Sequence, residues 1–532
     1  MKVLVCDPIS PKGIALLQER PEFNVVVLPK KHTEAELLPL VADAAAIIVR
    51  SETEVTQKVL EAAPQLRVVG RAGVGVDNIN VEAATARGVV VMNTPGGNTV
   101  TTAELTFAML LNLARKVPQA HASMVGGKWD RKLFSGVEMA GKTLGVLGMG
   151  RIGGEVARRA LAFGMKVVAY DPFLTEGRAQ ALGVELVSDL DGIYRVADFI
   201  TVHMPVTEQT KGMLNAAAFA KMKPNVRIVN CARGEIIVEN DLLAALDSGK
   251  VAAAALDVFR VEPLAADHPF RKHPGLVLTP HLGASTKEAQ EKCGIEVAEV
   301  ITSYLLTGEV RNAVNLPYLD AKTYEQVKPY LTLGEKLGKM LGQITPSAVD
   351  RLHITYGGKA QELPNIDPIT RAVLVGFLSC SDNKDINNVN VRSVAAAAGL
   401  TVEEKRSNEP VTFNEWLHVQ AFNGAQKVGS TGGTFFGSPD NPRIVRVLSR
   451  PTEIVPSGVV LLLTNKDVPG IVGQLGTLLA KHKVNIAGMS LSRDTAGGHA
   501  LTALNLDSVP PAALITEIEN DPNISNVQVV KL

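Results

Sequence analysis

Gly148-Met149-Gly150-Arg151-Ile152-Gly153 is a G-x-G-x-x-G run, and the residues around it are those such a run needs to hold a dinucleotide. Thr143 to Leu147 reads as a short buried strand, Glu155 to Phe163 as a helix, and Lys166 to Tyr170 as a second strand ending on Asp171, 18 residues past Gly153. Gly148 suits the tight turn, Gly150 lets the backbone approach a pyrophosphate, and Gly153 lets helix and strand pack closely, while the helix N-terminus offers free N–H groups to phosphate. Asp171 stands where a carboxylate accepts both ribose hydroxyls of NAD and repels the extra phosphate of NADP, and no Arg follows it directly. Later strand-like runs end in Asn230-Cys231-Ala232-Arg233-Gly234, in Asp257 with Glu262-Pro263 just beyond, and in Thr279-Pro280-His281-Leu282-Gly283. Arg, Glu and His then share one sheet edge beside the nicotinamide. Arg50 after AIIV, and Arg71 opening RAGVGVDN after RVVG, are two more strand-end cations that can bind an anion.

These residues need a sheet whose strand ends converge. Residues 1 to about 97 alternate strand-like runs (Val3 to Cys6, Asn24 to Leu28, Ala46 to Val49, Arg67 to Gly70, Val89 to Asn93) with helical ones, a rhythm that predicts a parallel sheet with ligands at the strands' carboxyl ends. The same rhythm resumes after Asp171. Between the two, TVTTAELTFAMLLNLARKVPQAH predicts one long, nearly all-round apolar helix from Thr99 to about His121, buried as a hinge or in a subunit interface. Trp129 follows in the polar loop GGKWDRKLFSG, where an indole is expected to pack on a neighbouring domain or subunit.

A chain of 532 residues predicts three or four domains. Lys plus Arg and Asp plus Glu number 54 each, so no global field recruits nucleic acid or anionic membrane, and any anion must be bound by local charges. Cys6, Cys231, Cys293 and Cys380 are scattered without metal-ligand spacing, which predicts no metal site and fits a reducing cytoplasm.

The combination GRAGVGVDNI, NTPGGN, GMGRIG, NCARGE, LDVFRVEP and TPHLGAST resembles the D-isomer-specific 2-hydroxyacid dehydrogenase family over about residues 1 to 315. The resemblance implies two Rossmann-like parallel-sheet domains: a split substrate domain (1–97 and 284–315) and an NAD domain (98–283). It implies Arg233 as substrate anchor, Glu262 as orienting acid and His281 as proton acceptor, with Arg151, Ile152, Asp171, Cys231 and Asp257 lining the cofactor. Val74 departs from the Thr of many relatives. The residue chemistry runs the same way. A secondary alcohol needs a base for its O–H while hydride leaves carbon, and imidazole, with an ordinary pKa of about 6.5, suits that task. An acid behind it fixes the tautomer, and a planar Arg fork orients the α-carboxylate. Arg50, Arg71 and Gly73 on the facing domain then suit a phosphate.

Beyond Pro317 the texture changes. Residues 318–455 predict an α+β intervening domain with helices at Tyr324 to Ile344 and Pro368 to Leu378 and a Gly-rich hairpin around GGTFFG; lacking the Lys-Ser/Thr of a P-loop, that run is expected to be a hairpin turn. By resemblance this is an intervening domain that binds an anionic effector, for which Arg443 and Arg446 are the candidates. Residues 457–532 read βαββαβ and resemble an ACT domain, which pairs with a second copy and binds amino acids at the joint. The tail thus extends the resemblance to the long branch of the family, whose substrate is D-3-phosphoglycerate at the first step of L-serine synthesis. This branch implies a homodimer or homotetramer with L-serine as a possible effector, Asp467 for its ammonium and Asn485 for its carboxylate, both at one end of the module. Two alternatives stay open: chemistry on another D-2-hydroxyacid, and an NAD-sensing binding protein, against which the complete Arg233, Glu262 and His281 set argues. On Asp171 rests one expectation, that kcat/KM favours NAD over NADP at least tenfold and that Asp171→Ala narrows the gap; equal values in the native protein would remove Asp171 from cofactor choice.

Overall fold

The computed structural model describes residues 1–317, 321–345, 348–380, 386–409 and 413–532; the expected start of the intervening unit at residue 318 lies outside them. Four sheets organise the described chain. The first holds β1 (Lys2–Val5), β2 (Asn24–Val27), β3 (Ala44–Val49), β4 (Val68–Arg71) and β5 (Val90–Met92), all parallel in the order β2-β1-β3-β4-β5. Its central strand AAAIIV is buried on both faces, as a parallel sheet covered by helices requires. Helix Lys287–Thr307 returns to this sheet, placing Val297, Ala298 and Ile301 in one core with Val3, Val5 and Val68.

The second sheet comprises β6 (Thr143–Leu147), β7 (Lys166–Tyr170), β8 (Glu185–Leu186), β9 (Phe199–Val202), β10 (Val226–Asn230), β11 (Val251–Leu256) and β12 (Leu276–Leu278), again parallel. Its order, β12-β11-β10-β9-β6-β7-β8, reverses between β6 and β9, the switch point where doubly wound sheets open a ligand crevice.

The predicted single helix from Thr99 is two helices, Thr99–Arg115 and Val117–Val125, separated at Lys116 with φ +51°. Pro118 is the reason. It has no N–H to give to the Ala114 carbonyl, which is taken instead by the Val137 N–H at 2.9 Å. The first helix is buried at Thr102, Thr106, Phe107 and Leu110. The second buries none of its residues. Trp129 is 75% exposed, so no domain of the same chain covers it.

The third sheet orders β13 (Arg351–Gly358), β14 (Thr401–Ser407), β15 (Glu415–Asn423), β16 (Gln426–Phe435), β17 (Pro442–Val447) and β18 (Arg450–Ile454) as β14-β13-β15-β16-β17-β18. The expected hairpin forms between β16 and β17, but Gly432 and Gly433 lie inside β16 rather than in its turn. Trp416 and Leu333 fill the places their Cβ atoms would take. Helices Ala321–Ile344 and Asp367–Leu378 cover the sheet, and Gly338 and Gly376 let their backbones touch.

The fourth sheet, β19 (Val459–Lys466), β20 (Ile486–Arg493), β21 (His499–Leu506) and β22 (Ile524–Lys531), is antiparallel in the order β20-β21-β19-β22, with helices Ile471–Lys481 and Ala512–Glu519. This is the predicted βαββαβ. Among the described residues no helix is long and apolar enough to cross a membrane.

Candidate active site

The glycine loop closes the switch point from below. Gly148 has φ +95°, and a side chain there would strike the His203 carbonyl; a Cβ at Gly153 would land on the Gly148 carbonyl oxygen. A Cβ at Gly150 would meet no protein atom, so the space over the N-terminus of helix Arg151–Ala162 is open. Asp171 follows β7 and faces the loop: its Oδ2 accepts the Met149 N–H at 2.8 Å and its Oδ1 the Phe173 N–H at 2.8 Å. An open cradle of backbone N–H groups beside a carboxylate at this distance fits a dinucleotide's pyrophosphate and ribose. Arg151 and Ile152 open the helix, the first exposed and the second half-buried. Cys231, at the end of β10, lies with its Sγ 3.4 Å from Met109 Sδ, and burial pushes its thiol up to about 12. It is therefore a neutral thiol buried against the Thr99–Arg115 helix.

His281 carries φ +54°, an uncommon conformation for a side chain of this kind. Asp257 holds it there. The fully buried Asp257 carboxylate accepts Thr279 Oγ1 at 2.6 Å and the N–H groups of Leu282 and Gly283 at 2.7 and 2.8 Å, while its own carbonyl accepts the His281 N–H at 2.9 Å. Thr102 of the first helix fastens the same loop through the Gly283 carbonyl at 2.7 Å. Burial raises the Asp257 pKa against those donors. The visible work of Asp257 is thus to knot the loop, with its side chain beneath the surface that a cofactor would touch.

Glu262 Oε2 lies 2.7 Å from His281 Nδ1, and Oε1 accepts the Phe259 N–H at 3.0 Å. The Glu262 hydrogen bond raises the His281 pKa above its ordinary value, aided by Glu262 and Asp257 charge and opposed by burial and Arg233. Burial works against ionisation of Glu262, yet His281 and the Phe259 N–H carry its pKa below the usual range. A carboxylate behind Nδ1 leaves Nε2 as the ring nitrogen that can exchange a proton with a ligand.

Across the cleft, Arg50 follows β3 and Arg71 ends β4. The buried Asp7 carboxylate accepts the N–H groups of Arg50 and Thr53 at 2.6 and 3.2 Å, fixing that loop as Asp257 fixes the other. Arg71 is largely buried and its Nε has no partner. Burial, then the neighbouring Arg233 charge, lowers its pKa. Gly73 makes room for it, since a Cβ there would coincide with Arg71 Nη1; Gly75 does the same for Arg233 Nη2. Arg233 Nη1 donates to the Ala232 carbonyl at 2.7 Å, and Nη2 pairs with Asp77 at 2.9 Å. The structure therefore brings Arg71, Arg233, Glu262 and His281 to one cleft, with Arg50 beside Arg71. Asp77, Asp7 and Gly75 were not singled out from the sequence; their signal was only position at a strand end.

The fourth sheet corrects one expectation. Asp467 and Asn485 do not share an end of the module. Strands β19 and β20 both pair antiparallel with β21 and so run the same way; Ile486 and Val459 both lie opposite Leu506. Asn485 therefore sits level with the start of β19 and Asp467 beyond its end, about 30 Å away at about 3.3 Å per residue. Asp467 instead pairs with Arg493 at 3.0 Å, and Asn485 donates to Asp507 at 2.7 Å. In the third sheet, Arg446 lies over the Trp416 ring and Arg443 over Phe436.

Comparison with known proteins matches this architecture. The profile of the D-isomer specific 2-hydroxyacid dehydrogenase NAD binding domain covers residues 107–283, that of the D-3-phosphoglycerate dehydrogenase intervening domain residues 326–448, and that of the ACT domain residues 459–523. The chain is 42% identical over 531 residues to the D-3-phosphoglycerate dehydrogenase of Synechocystis, spanning 100% of this chain and 95% of that one. The Archaeoglobus fulgidus enzyme of the same name is 41% identical, with both chains covered end to end. Among solved structures, the TT0316 protein of Thermus thermophilus (TM-score 0.55, 36% identity) covers 59% of this chain and 100% of its own. An NAD-dependent formate dehydrogenase of Staphylococcus aureus in complex with NAD (TM-score 0.53, 28% identity) covers 59% and 98%. With relatives this similar along its whole length, the chain belongs to the D-3-phosphoglycerate dehydrogenase family, built on a 2-hydroxyacid dehydrogenase core with an NAD-binding domain.

Proposed function

We propose that the chain oxidises D-3-phosphoglycerate to 3-phosphohydroxypyruvate with NAD, the opening step of L-serine synthesis. The observation that carries this is the meeting, in one cleft, of a carboxylate-backed imidazole with the guanidinium groups of Arg71 and Arg233 and the nearby Arg50. NAD, when bound over the glycine loop, supplies the hydride acceptor. His281 Nε2 takes the hydroxyl proton, and Glu262 holds the ring and stabilises the imidazolium. Arg233 binds the α-carboxylate, and Arg50 and Arg71 bind the phosphate, each charge-assisted bond contributing about 1.5–3 kcal/mol. Gly73 keeps Arg71 in place; Asp171 and the loop Gly148, Gly150, Arg151, Ile152, Gly153 hold the cofactor, with Cys231 and Asp257 shaping its far wall. A different 2-hydroxyacid would bring no second anion to Arg71, whose Nε has no partner.

Helix Val117–Val125 with Val117, Met124, Val125, Trp129 and Leu133 exposed is the face on which we place a second copy, giving a homodimer. Four free cysteines fit a reducing cytoplasm. The β20 edge, with Met489 and Leu491 exposed, is a second pairing surface, so that a tetramer results where both are used. Antiparallel pairing of two β20 edges about Met489 sets Asn485 of one copy opposite Arg493 of the other, the residue that holds Asp467. L-serine then binds between copies, its ammonium on Asp467 and its carboxylate on Asn485.

Absorbance of NADH with D-3-phosphoglycerate as substrate tests the reaction at once; no turnover leaves a cofactor-sensing protein. Because His281 must be neutral to take a proton and its pKa is raised, kcat/KM for oxidation should rise with pH to a midpoint above about 6.5. Glu262→Gln should move that midpoint down, and an unmoved midpoint would separate Glu262 from His281. Arg71→Ala should chiefly raise KM, since a phosphate remote from the reacting carbon is held alike in ground and transition states; an equal loss with D-glycerate would show that Arg71 does not read phosphate. In calorimetry, L-serine should lose its binding heat in both Asp467→Ala and Asn485→Ala, residues too distant to share a ligand within one chain. Heat surviving in either variant would put the effector elsewhere.

A further inference from the structure

Asp77 enters none of the roles above, yet it is the carboxylate that touches the substrate-anchoring arginine. It follows β4 in the first sheet, whereas Arg233 follows β10 in the second, so their 2.9 Å ion pair crosses the cleft. The loop presenting it is stiff. Asn78 next to it donates to the Arg50 and Thr53 carbonyls at 2.8 and 2.6 Å, Asn93 donates to the Val74 carbonyl at 2.6 Å, and the Gly73 carbonyl accepts the Thr94 N–H at 2.9 Å. Gly75 lets Arg233 Nη2 and Asp77 Oδ2 close over the backbone, both standing where a Cβ would. The two partners are unequally placed: the Arg233 side chain is 28% exposed and that of Asp77 71%. Asp77 therefore leaves for water at little cost, while Arg233 stays in the cleft whether or not it is paired.

We infer that Asp77 is a stand-in for the substrate's carboxylate, occupying Arg233 in the empty cleft and yielding it when substrate arrives. Charge supports the exchange. Arg50, Arg71 and Arg233 bring three positive charges, and a phosphorylated hydroxy acid brings about two and a half to three negative ones, the phosphate carrying about 1.5 to 2. With such a ligand bound, the set lies between neutral and about half a positive charge when Asp77 has turned out, and carries about half to one net negative charge when it has not, so its leaving removes like-charge repulsion with the ligand. Without substrate, Asp77 offsets part of the repulsion between Arg71 and Arg233 and keeps the Arg233 fork extended across the cleft. It also competes with stray carboxylates, because a lone acetate must displace Asp77 to settle on Arg233 and has no second group to grip the phosphate site at the same time. Asp77 is thus a specificity residue favouring ligands that carry two anionic groups at the right spacing.

This rests on the cleft's being a carboxylate-and-phosphate site, and the test separates the two. In the full-length protein with intact NADH binding, Asp77→Asn should lower KM for D-3-phosphoglycerate about two- to fivefold, the range of a partly exposed ion pair. The gain should lie in KM rather than kcat. Inhibition by acetate, whose single carboxylate competes for Arg233, should tighten by a similar or larger factor. Asp77→Glu, which keeps the charge, should restore the native KM and acetate sensitivity. An unchanged or raised KM in Asp77→Asn would overturn the proposal, since it would make Asp77 inert or an aid to substrate. If the native protein does not turn over D-3-phosphoglycerate, the functional reading fails, but calorimetry with acetate still decides on Asp77: tighter binding in Asp77→Asn supports its role as internal competitor, and equal binding overturns it.

Discussion

A carboxylate buried beneath a strand-end loop, accepting backbone N–H groups from that loop, is the interaction on which the catalytic half of this structure depends. Asp7 holds the turn that carries Arg50, and Asp257 holds the turn that carries His281. Asp171 ties the glycine loop through Met149, and Asp198 ties the start of β6 through Thr143. Each is a charge-assisted hydrogen bond to main chain, which fixes a loop without spending the side chains that the loop displays. Buried at 1% and 0% exposure, Asp7 and Asp257 are tolerable only because donors surround them. The positive φ of His281 shows the result: backbone that would otherwise relax is held in one shape, and the imidazole with it.

The cleft above these loops is built under electrostatic tension. Arg71 is largely buried, its Nε lacks a partner, and Arg233 pushes against it. Groups placed this way reduce stability and are kept where a ligand of opposite charge relieves them. The oriented donors then need little rearrangement when an anion arrives, which is where binding energy is otherwise lost. His281 belongs to the opposite regime: its partner is permanent, and Glu262 tunes its proton affinity whether or not anything is bound.

Much of this was legible because parallel sheets concentrate their chemistry. Once β-α periodicity fixes strand ends, Arg50, Arg71, Arg233, Asp257 and His281 fall on one side without further information, and the glycine spacing identifies the switch point. What stayed hidden was of two kinds. Local rules were outvoted: the apolar run from Thr99 continues through Lys116, but Pro118 breaks it, and β14, TVEEKRS, carries too many charges to read as a strand though it pairs with β13 along its length. Register was the other. The crossover through helix Ile471–Lys481 makes β19 and β20 run the same way beside their shared partner β21, so Asp467 and Asn485, which flank that helix, lie at opposite ends of the sheet.

That separation bears on how a tail so far from the cleft can act on it. The fourth sheet is mounted: Val460, Leu462, Leu501, Ala503 and Val530 share one core with Leu337, Met340 and Leu341 of helix Ala321–Ile344, and Gln343 exchanges two hydrogen bonds with Lys531. The third unit is fastened in turn to the first sheet, where Val389 is buried in its core and Asn387 donates to the Gly88 carbonyl at 2.9 Å. A constraint placed on the fourth sheet is therefore passed to helix Ala321–Ile344, the third sheet and the first sheet together. The NAD-side sheet meets the substrate-side sheet across the cleft, so relative motion of the two closes or opens it. An effector shifts that balance only by the difference in its affinity for the two arrangements, typically 1–3 kcal/mol. A packed chain of this kind can carry such a difference because apolar cores move as bodies rather than deform.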